Sequence, residues 1–219
     1  AIAHAGLSVA YTVLNQPNAA RAELEQARAL DAQARAHDRL HIAARLAQAA
    51  AEDAPDDATK LSAYRKALDG ALVKHPQDVE LLIWRGIAES PDPSDRGQGS
   101  VASSIPFYEK ALALGGVAAH HYLTHALENS GRVAEARPHA EAYARAAPAI
   151  PHALHMNGHV LRRLGRIEDA VAAFEAASRA QAEYLRAENI PAQYDWHHEH
   201  NLDLLGSSYQ YLGQMVKAE

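Results

Sequence analysis

Two copies of one helical pattern, 34 residues apart, constrain this chain more than any other feature of its sequence. His121 and His125 are spaced i, i+4, and His155 and His159 repeat that spacing one period later. The residues around them keep the period: Leu127, Gly131 and Ala136 recur as Leu161, Gly165 and Ala170. Side chains four apart lie on one face of an α-helix, with Cβ atoms ~5–6 Å apart, so each pair can converge on one ligand. A helical unit of this length cannot bury its apolar face alone and has to stack on its neighbours.

Composition agrees with an all-helical chain. Only 6% of the residues are aromatic and no β-branched run alternates for long, which leaves strands little to build from. A net charge of −6 and a pI near 6.2, with dispersed Lys and Arg, argue against a nucleic-acid partner. The absence of cysteine removes disulfides, thiolate nucleophiles and thiolate metal sites. No apolar run approaches the ~18 residues that a membrane span needs. The chain opens at Ala1 without methionine or a signal-like segment, as a processed or excised fragment would.

In chain order, Ile2 to Leu30 reads as two antiparallel helices broken at Asn15-Gln16-Pro17-Asn18, with Leu7, Tyr11 and Leu14 on one stripe and Ala20, Leu24, Ala27 and Leu30 on the other. Ala32 to Ala51 is a long alanine-rich helix, and Lys60 to Val73 another, stopped at His75-Pro76. Glu80 to Glu89 pairs with Ile105 to Leu114 across a Pro-, Gly- and Ser-rich loop from Pro91 to Ser100. After Ala177 about 14 residues are inserted before the register resumes at Leu205 and Gly206; Ser178 to Glu188 extends the preceding helix. The chain reads as a single solenoid over 1–219, regular over 1–30, 117–184 and 199–219, irregular over 31–116, with the insertion at about 178–198.

These registers resemble the tetratricopeptide repeat, a 34-residue helix–turn–helix unit. The resemblance rests on Leu123, Leu127, Gly131, Ala136 and Pro148, then on Gly158, Leu161, Gly165, Ala170, Phe174 and Ala177, and finally on Leu205, Gly206, Tyr209, Gly213 and Ala218. It implies an all-α solenoid of about five to six antiparallel helix pairs, whose first helices line a binding groove. The segments 119–126 and 147–159 also look like those of a bacterial repeat subfamily, which implies that both segments act as one functional unit but no particular chemistry, and leaves the compartment open between bacterial periplasm and cytoplasm; that subfamily typically carries Pro-Ser where Asn157-Gly158 stands here.

The resemblance further implies that the second, fifth and ninth residues of a unit face the groove. In the last three units the fifth are His121, His155 and Asp203, the ninth His125, His159 and Ser207, and the second Ala118, His152 and His200. Imidazoles and a carboxylate ligate transition metals, and an i, i+4 histidine pair is a bidentate arm. Two four-ligand sets follow: His121, His125, His152 and His155, or His155, His159, His200 and Asp203. With one carboxylate against five or six imidazoles, Zn or Cu is expected over Ca or Mg. His4, His37, His41, His75 and His139 fall outside the doubled pattern and are expected in surface or hydrogen-bonding roles. The tract His197-His198-Glu199-His200 reads equally as a ligand segment or a solvated loop.

Other constellations carry less. Arg162, Arg163 and Arg166 read as the basic end of a helix, and Tyr122, Tyr194, Tyr209 and Tyr211 as packing. No Ser-His-Asp spacing, phosphate-cradling glycine loop or His-Glu-x-x-His motif occurs, so an enzymatic reading rests on the histidines alone. Two functions remain: a metal-binding solenoid acting as carrier, sensor or metal-dependent catalyst, and a module that binds a peptide or protein segment in its groove without metal.

Overall fold

A computed structural model describes residues 1–219, the side chain of Tyr194 apart. The chain forms helices throughout, with no strand among the described residues, and divides into two compact units, Ala1–Gly99 and Ser100–Glu219.

The first unit holds α1 (Ile2–Val13), α2 (Pro17–Ala29), α3 (Ala36–Glu52), α4 (Ala58–Lys74) and α5 (Val79–Ile87). Helices α1 and α2 pack as one antiparallel pair, α3 and α4 as the next, and α5 packs on α4. Pro17 takes the first position of α2, where its missing N–H costs nothing. Asp57 and Asp78 cap α4 and α5 by accepting from Thr59 N–H and Leu81 N–H. Ala44, Tyr64, Leu68, Ala71, Leu81 and Ala88 form a core cluster. Between α1 and α3 lies a buried cation that sequence periodicity did not reveal. Arg45 is 7% exposed and donates to Ser8 Oγ, Thr12 Oγ1, Gln48 Oε1 and Glu52 Oε2 at 2.9–3.1 Å, so its charge is paired where burial would otherwise be costly. The alanine-rich helix starts later than its composition suggests, because Asp31–Gln33 forms a 3-10 turn and Arg35 is extended.

The second unit holds α6 (Ile105–Ala113), α7 (Ala119–Asn129), α8 (Val133–Ala146), α9 (Pro151–Arg163), α10 (Ile167–Ala187), α11 (Trp196–Tyr211) and α12 (Met215–Ala218). The pairs are α7/α8, α9/α10 and α11/α12, and each stacks on the next through α8 on α9 and α10 on α11. Gly131 and Gly165 end the first helix of two successive pairs at φ 75°, a left-handed conformation that L side chains rarely adopt. The next residues, Arg132 and Arg166, then bond back to Leu127 O and Leu161 O at 2.8 and 2.9 Å. The insertion lengthens α10 to 21 residues and restarts the chain at Asp195, whose carboxylate accepts from the N–H groups of His197 and His198 and from the Gln181 side chain. The 197–200 tract is therefore the first turn of a helix and not a loop.

Close approach explains one glycine. A Cβ on Gly158 would stand 2.7 Å from Phe174 Cε1 and 2.8 Å from Cδ1, and the Phe174 ring is fully buried between α9, α10 and α11. Alanine is the better helix former by about 1 kcal/mol, but overpacking a closed core costs about 1–3 kcal/mol. Gly158→Ala is expected to lower the melting temperature by a few degrees in a thermal scan; a variant that melts at or above the parent would show that the ring yields.

Candidate metal centre

The histidines converge because α7 and α9, the first helices of adjacent pairs, lie side by side. On α7 the i, i+4 spacing brings His121 Nε2 and His125 Nε2 to 3.1 Å. On α9 His152 occupies the first turn, just after Pro151, and its Nε2 lies 3.1 Å from the same His121 Nε2. One ring nitrogen from each of His121, His125 and His152 can thus be chosen so that all three lie within 4.8 Å of one another.

Hydrogen bonding alone serves this arrangement poorly. A neutral imidazole nitrogen carries either a hydrogen or a single lone pair, so His121 Nε2 cannot donate to one neighbour while accepting from the other. A cation at the centre would use the lone pair of every ring. Tetrahedral Zn–N bonds of 2.0–2.1 Å set nitrogens about 3.3 Å apart, close to the two observed 3.1 Å separations.

Electrostatics keep these rings neutral. Burial pushes His121 and His125 down to about 3, and neighbouring imidazoles push the same way, His125 and His197 against His121, and His152, His159 and His155 against His125. Burial, then His121, His155, His197 and His200, push His152 to about 2. A neutral ring is the form that ligates. The Tyr143 ring stacks on His121 at 5.4 Å and closes one side of the cluster.

His155 and His159, on the next turns of α9, are oriented by partners that periodicity did not point to. Asn201 on α11 donates to Phe174 O at 3.0 Å and Ser178 Oγ at 2.7 Å, which turns its Oδ1 toward His155 Nδ1 at 2.9 Å. His155 therefore carries its hydrogen on Nδ1 and a lone pair on Nε2. Burial holds it at about 4, against the upward pull of the Asn201 bond and with the help of His200, His159 and His197. Glu128, 2% exposed at the end of α7, accepts from His159 Nδ1 at 2.9 Å and faces Arg163 at 3.7 Å. Such outer partners fix ring orientation and tautomer in metal sites. A glutamate one helical turn after His125 was all the sequence offered for Glu128; nothing distinguished Asn201.

The remaining sequence candidates are more dispersed. The His155 ring centroid stands 5.7 Å from His152, 5.0 Å from His200 and 6.1 Å from His159. His200 stacks on Trp196 at 5.1 Å, and burial lowers its pKa, with His159 and His197 lowering it and Asp203 raising it. Asp203 is exposed on α11. His155, His159, His200 and Asp203 do not form a close set of ligand atoms among the described residues. His139, outside the doubled pattern, meets His120 Nδ1 to Nδ1 at 2.9 Å. The Tyr194 side chain lies outside the described residues.

Stacked helix pairs with small residues and αL glycines at a fixed period define a class, the helical-repeat proteins of the tetratricopeptide type. Residues 151–184, which take in α9 and α10 up to its last turn, match the tetratricopeptide repeat family model. The fold is similar to that of solved MamA structures. A MamA fragment from Desulfovibrio magneticus RS-1 aligns at 18% identity and a TM-score of 0.58, over 80% of this chain and 89% of that one. A crystal structure of MamA protein aligns at 16% identity and 0.56, over 78% and 86%, and MamA MSR-1 at 16% and 0.52, over 83% and 96%. At these identities the likeness concerns the fold. No curated protein matches the sequence. Among the described residues no helix is long and apolar enough to cross a membrane.

Proposed function

We propose that this protein binds a transition-metal ion, Zn2+ or Cu2+, through His121, His125 and His152, and acts as a metal carrier or sensor, or as the seat of metal-dependent chemistry. The observation that carries this reading is the 3.1 Å approach of both His125 Nε2 and His152 Nε2 to His121 Nε2, across two helix pairs. Three neutral nitrogens with no carboxylate among them suit Zn2+ and Cu2+ and not Ca2+ or Mg2+. Three protein ligands leave one coordination position, for water, for a partner's side chain or for His155, whose ring lies beside His152. Protein purified without an affinity tag and equilibrated with Zn2+ or Cu2+ is expected to lose about one bound equivalent when His121 and His152 are both replaced by alanine. A parent that keeps less than about a tenth of an equivalent, or a double variant that binds as much as the parent, overturns the reading.

The fold supports a coarser role as an interaction module, the common use of such solenoids. On α11, Trp196 and Tyr211 expose 57% and 72% of their surface, and their helical positions put them on the side of α11 that carries His200 and Asp203. In the metal-free alternative a peptide or protein segment lies against these side chains and the histidines hydrogen-bond to it. Binding of such a segment unaffected by chelator, together with no metal uptake, would favour it.

A further inference from the structure

A second group of ligating atoms lies in the first unit, among histidines that periodicity left in ordinary roles. His37 and His41 stand i, i+4 on the first turns of α3, and Asp78 caps α5. The cap uses one carboxylate oxygen, Oδ1, which accepts from Leu81 N–H at 3.0 Å. The other oxygen, Oδ2, faces His37 Nε2 at 2.6 Å and His41 Nε2 at 3.0 Å. The three residues form a close set of potential ligands, with His41 and Asp78 about nine-tenths buried and His37 44% exposed toward solvent. Lys74, His75, Pro76 and Gln77 line the same concavity, and the His75 ring meets His37 edge-on at 4.7 Å.

Two hydrogen bonds to one carboxylate oxygen would account for part of this arrangement, but the back of His37 argues for a cation. In a neutral ring a hydrogen on Nε2, needed for the Asp78 contact, leaves the Nδ1 lone pair facing Asp38 Oδ1 at 3.7 Å, so the position calls for a positive charge, either a proton on the ring or a metal ion. Asp38 is itself a carboxylate, held bidentate by Arg35 at 2.9 and 3.0 Å. An ion between His37, His41 and Asp78 releases that hydrogen to Nδ1, where it points at Asp38, the outer carboxylate that metal-bound histidines favour. Bond lengths of ~2.1 Å place octahedral neighbours ~3 Å apart, which is the His41 separation; the exposed His37 has only to swing out by ~0.4 Å.

We propose that His37, His41 and Asp78 form a second metal site, a two-imidazole, one-carboxylate set that takes a divalent first-row ion such as Zn2+, Co2+ or Fe2+ and leaves positions open to solvent. The mixed donor set gives it a harder preference than the three-imidazole centre. It rests on contacts within the first unit alone and is independent of the proposed function.

The test uses the full chain carrying His121→Ala and His152→Ala, which removes the other centre. Equilibrated with Co2+ or Zn2+ and freed of excess, this protein is expected to hold about one equivalent, with visible Co2+ absorption. Adding His41→Ala or Asp78→Asn is expected to lower occupancy below about a tenth. Asparagine keeps the oxygen that caps Leu81, so the far-UV spectrum of the Asp78→Asn protein should match its background. The site is refuted if the background protein binds no metal, or if Asp78→Asn binds as much as the background does. A parent whose bound metal vanishes entirely with His121→Ala and His152→Ala refutes this site and leaves the other; a parent whose metal survives those changes and vanishes with Asp78→Asn does the reverse.

Discussion

Replacing His121 by alanine is expected to weaken Zn2+ binding at the three-imidazole centre by at least ~100-fold, the upper end of what loss of a mere outer partner costs. His121 contributes the central nitrogen, 3.1 Å from both His125 and His152, so without it the two survivors no longer face a shared neighbour. His155→Ala is expected to cost ~10-fold, since its ring adjoins His152 and is locked by Asn201, whether it ligates or shapes the site. His139→Ala, where the ring meets His120 on another face, should leave affinity unchanged. Competition titrations against a chromophoric chelator, in protein that also carries Asp78→Asn, isolate this centre. If His121→Ala binds as tightly as its parent, the metal reading of the groove fails and the peptide-binding alternative moves ahead.

The second large effect concerns acid. In metal-free protein His121, His125, His152 and His155 are held at about 3, 3, 2 and 4, whereas in the unfolded chain each titrates near 6.5. Between these limits the unfolded chain binds more protons than the folded one, so stability falls as pH drops through this window. Each such proton steepens the fall by ~1.4 kcal/mol per pH unit. Four of them acting over even one unit approach the lower end of a domain's total stability of ~5–15 kcal/mol. The second unit should therefore open with a midpoint between about pH 6 and pH 5, well above the range in which carboxylates titrate. Trp196, which lies against His197 and His200, reports this opening by fluorescence. Saturating Zn2+ should move the midpoint to lower pH, because a ligand held only by the folded state stabilises it by mass action. A metal-free protein equally stable at pH 7 and pH 4.5 would mean that the rings accept protons in place.

The sequence by itself determined what depends on neighbours along one helix. Leu127, Gly131 and Ala136, repeated one period later, made the helix pairs legible, and the i, i+4 spacing placed His121 beside His125 because an α-helix fixes that geometry locally. The same local rule could not rank His37 and His41, which have the identical spacing; what distinguishes them is Asp78, brought in from the start of α5 by the packing of α4 and α5. Which rings meet also depends on tertiary structure. His152 lies 31 residues from His121, and only the side-by-side packing of α7 and α9 brings its Nε2 within 3.1 Å of His121 while leaving Asp203 exposed on α11. Asn201 and Glu128 became the partners of His155 and His159 for the same reason. A hydrogen bond between residues 46 or 31 positions apart depends on how helices stack and which rotamers that stacking permits, and no periodicity encodes either.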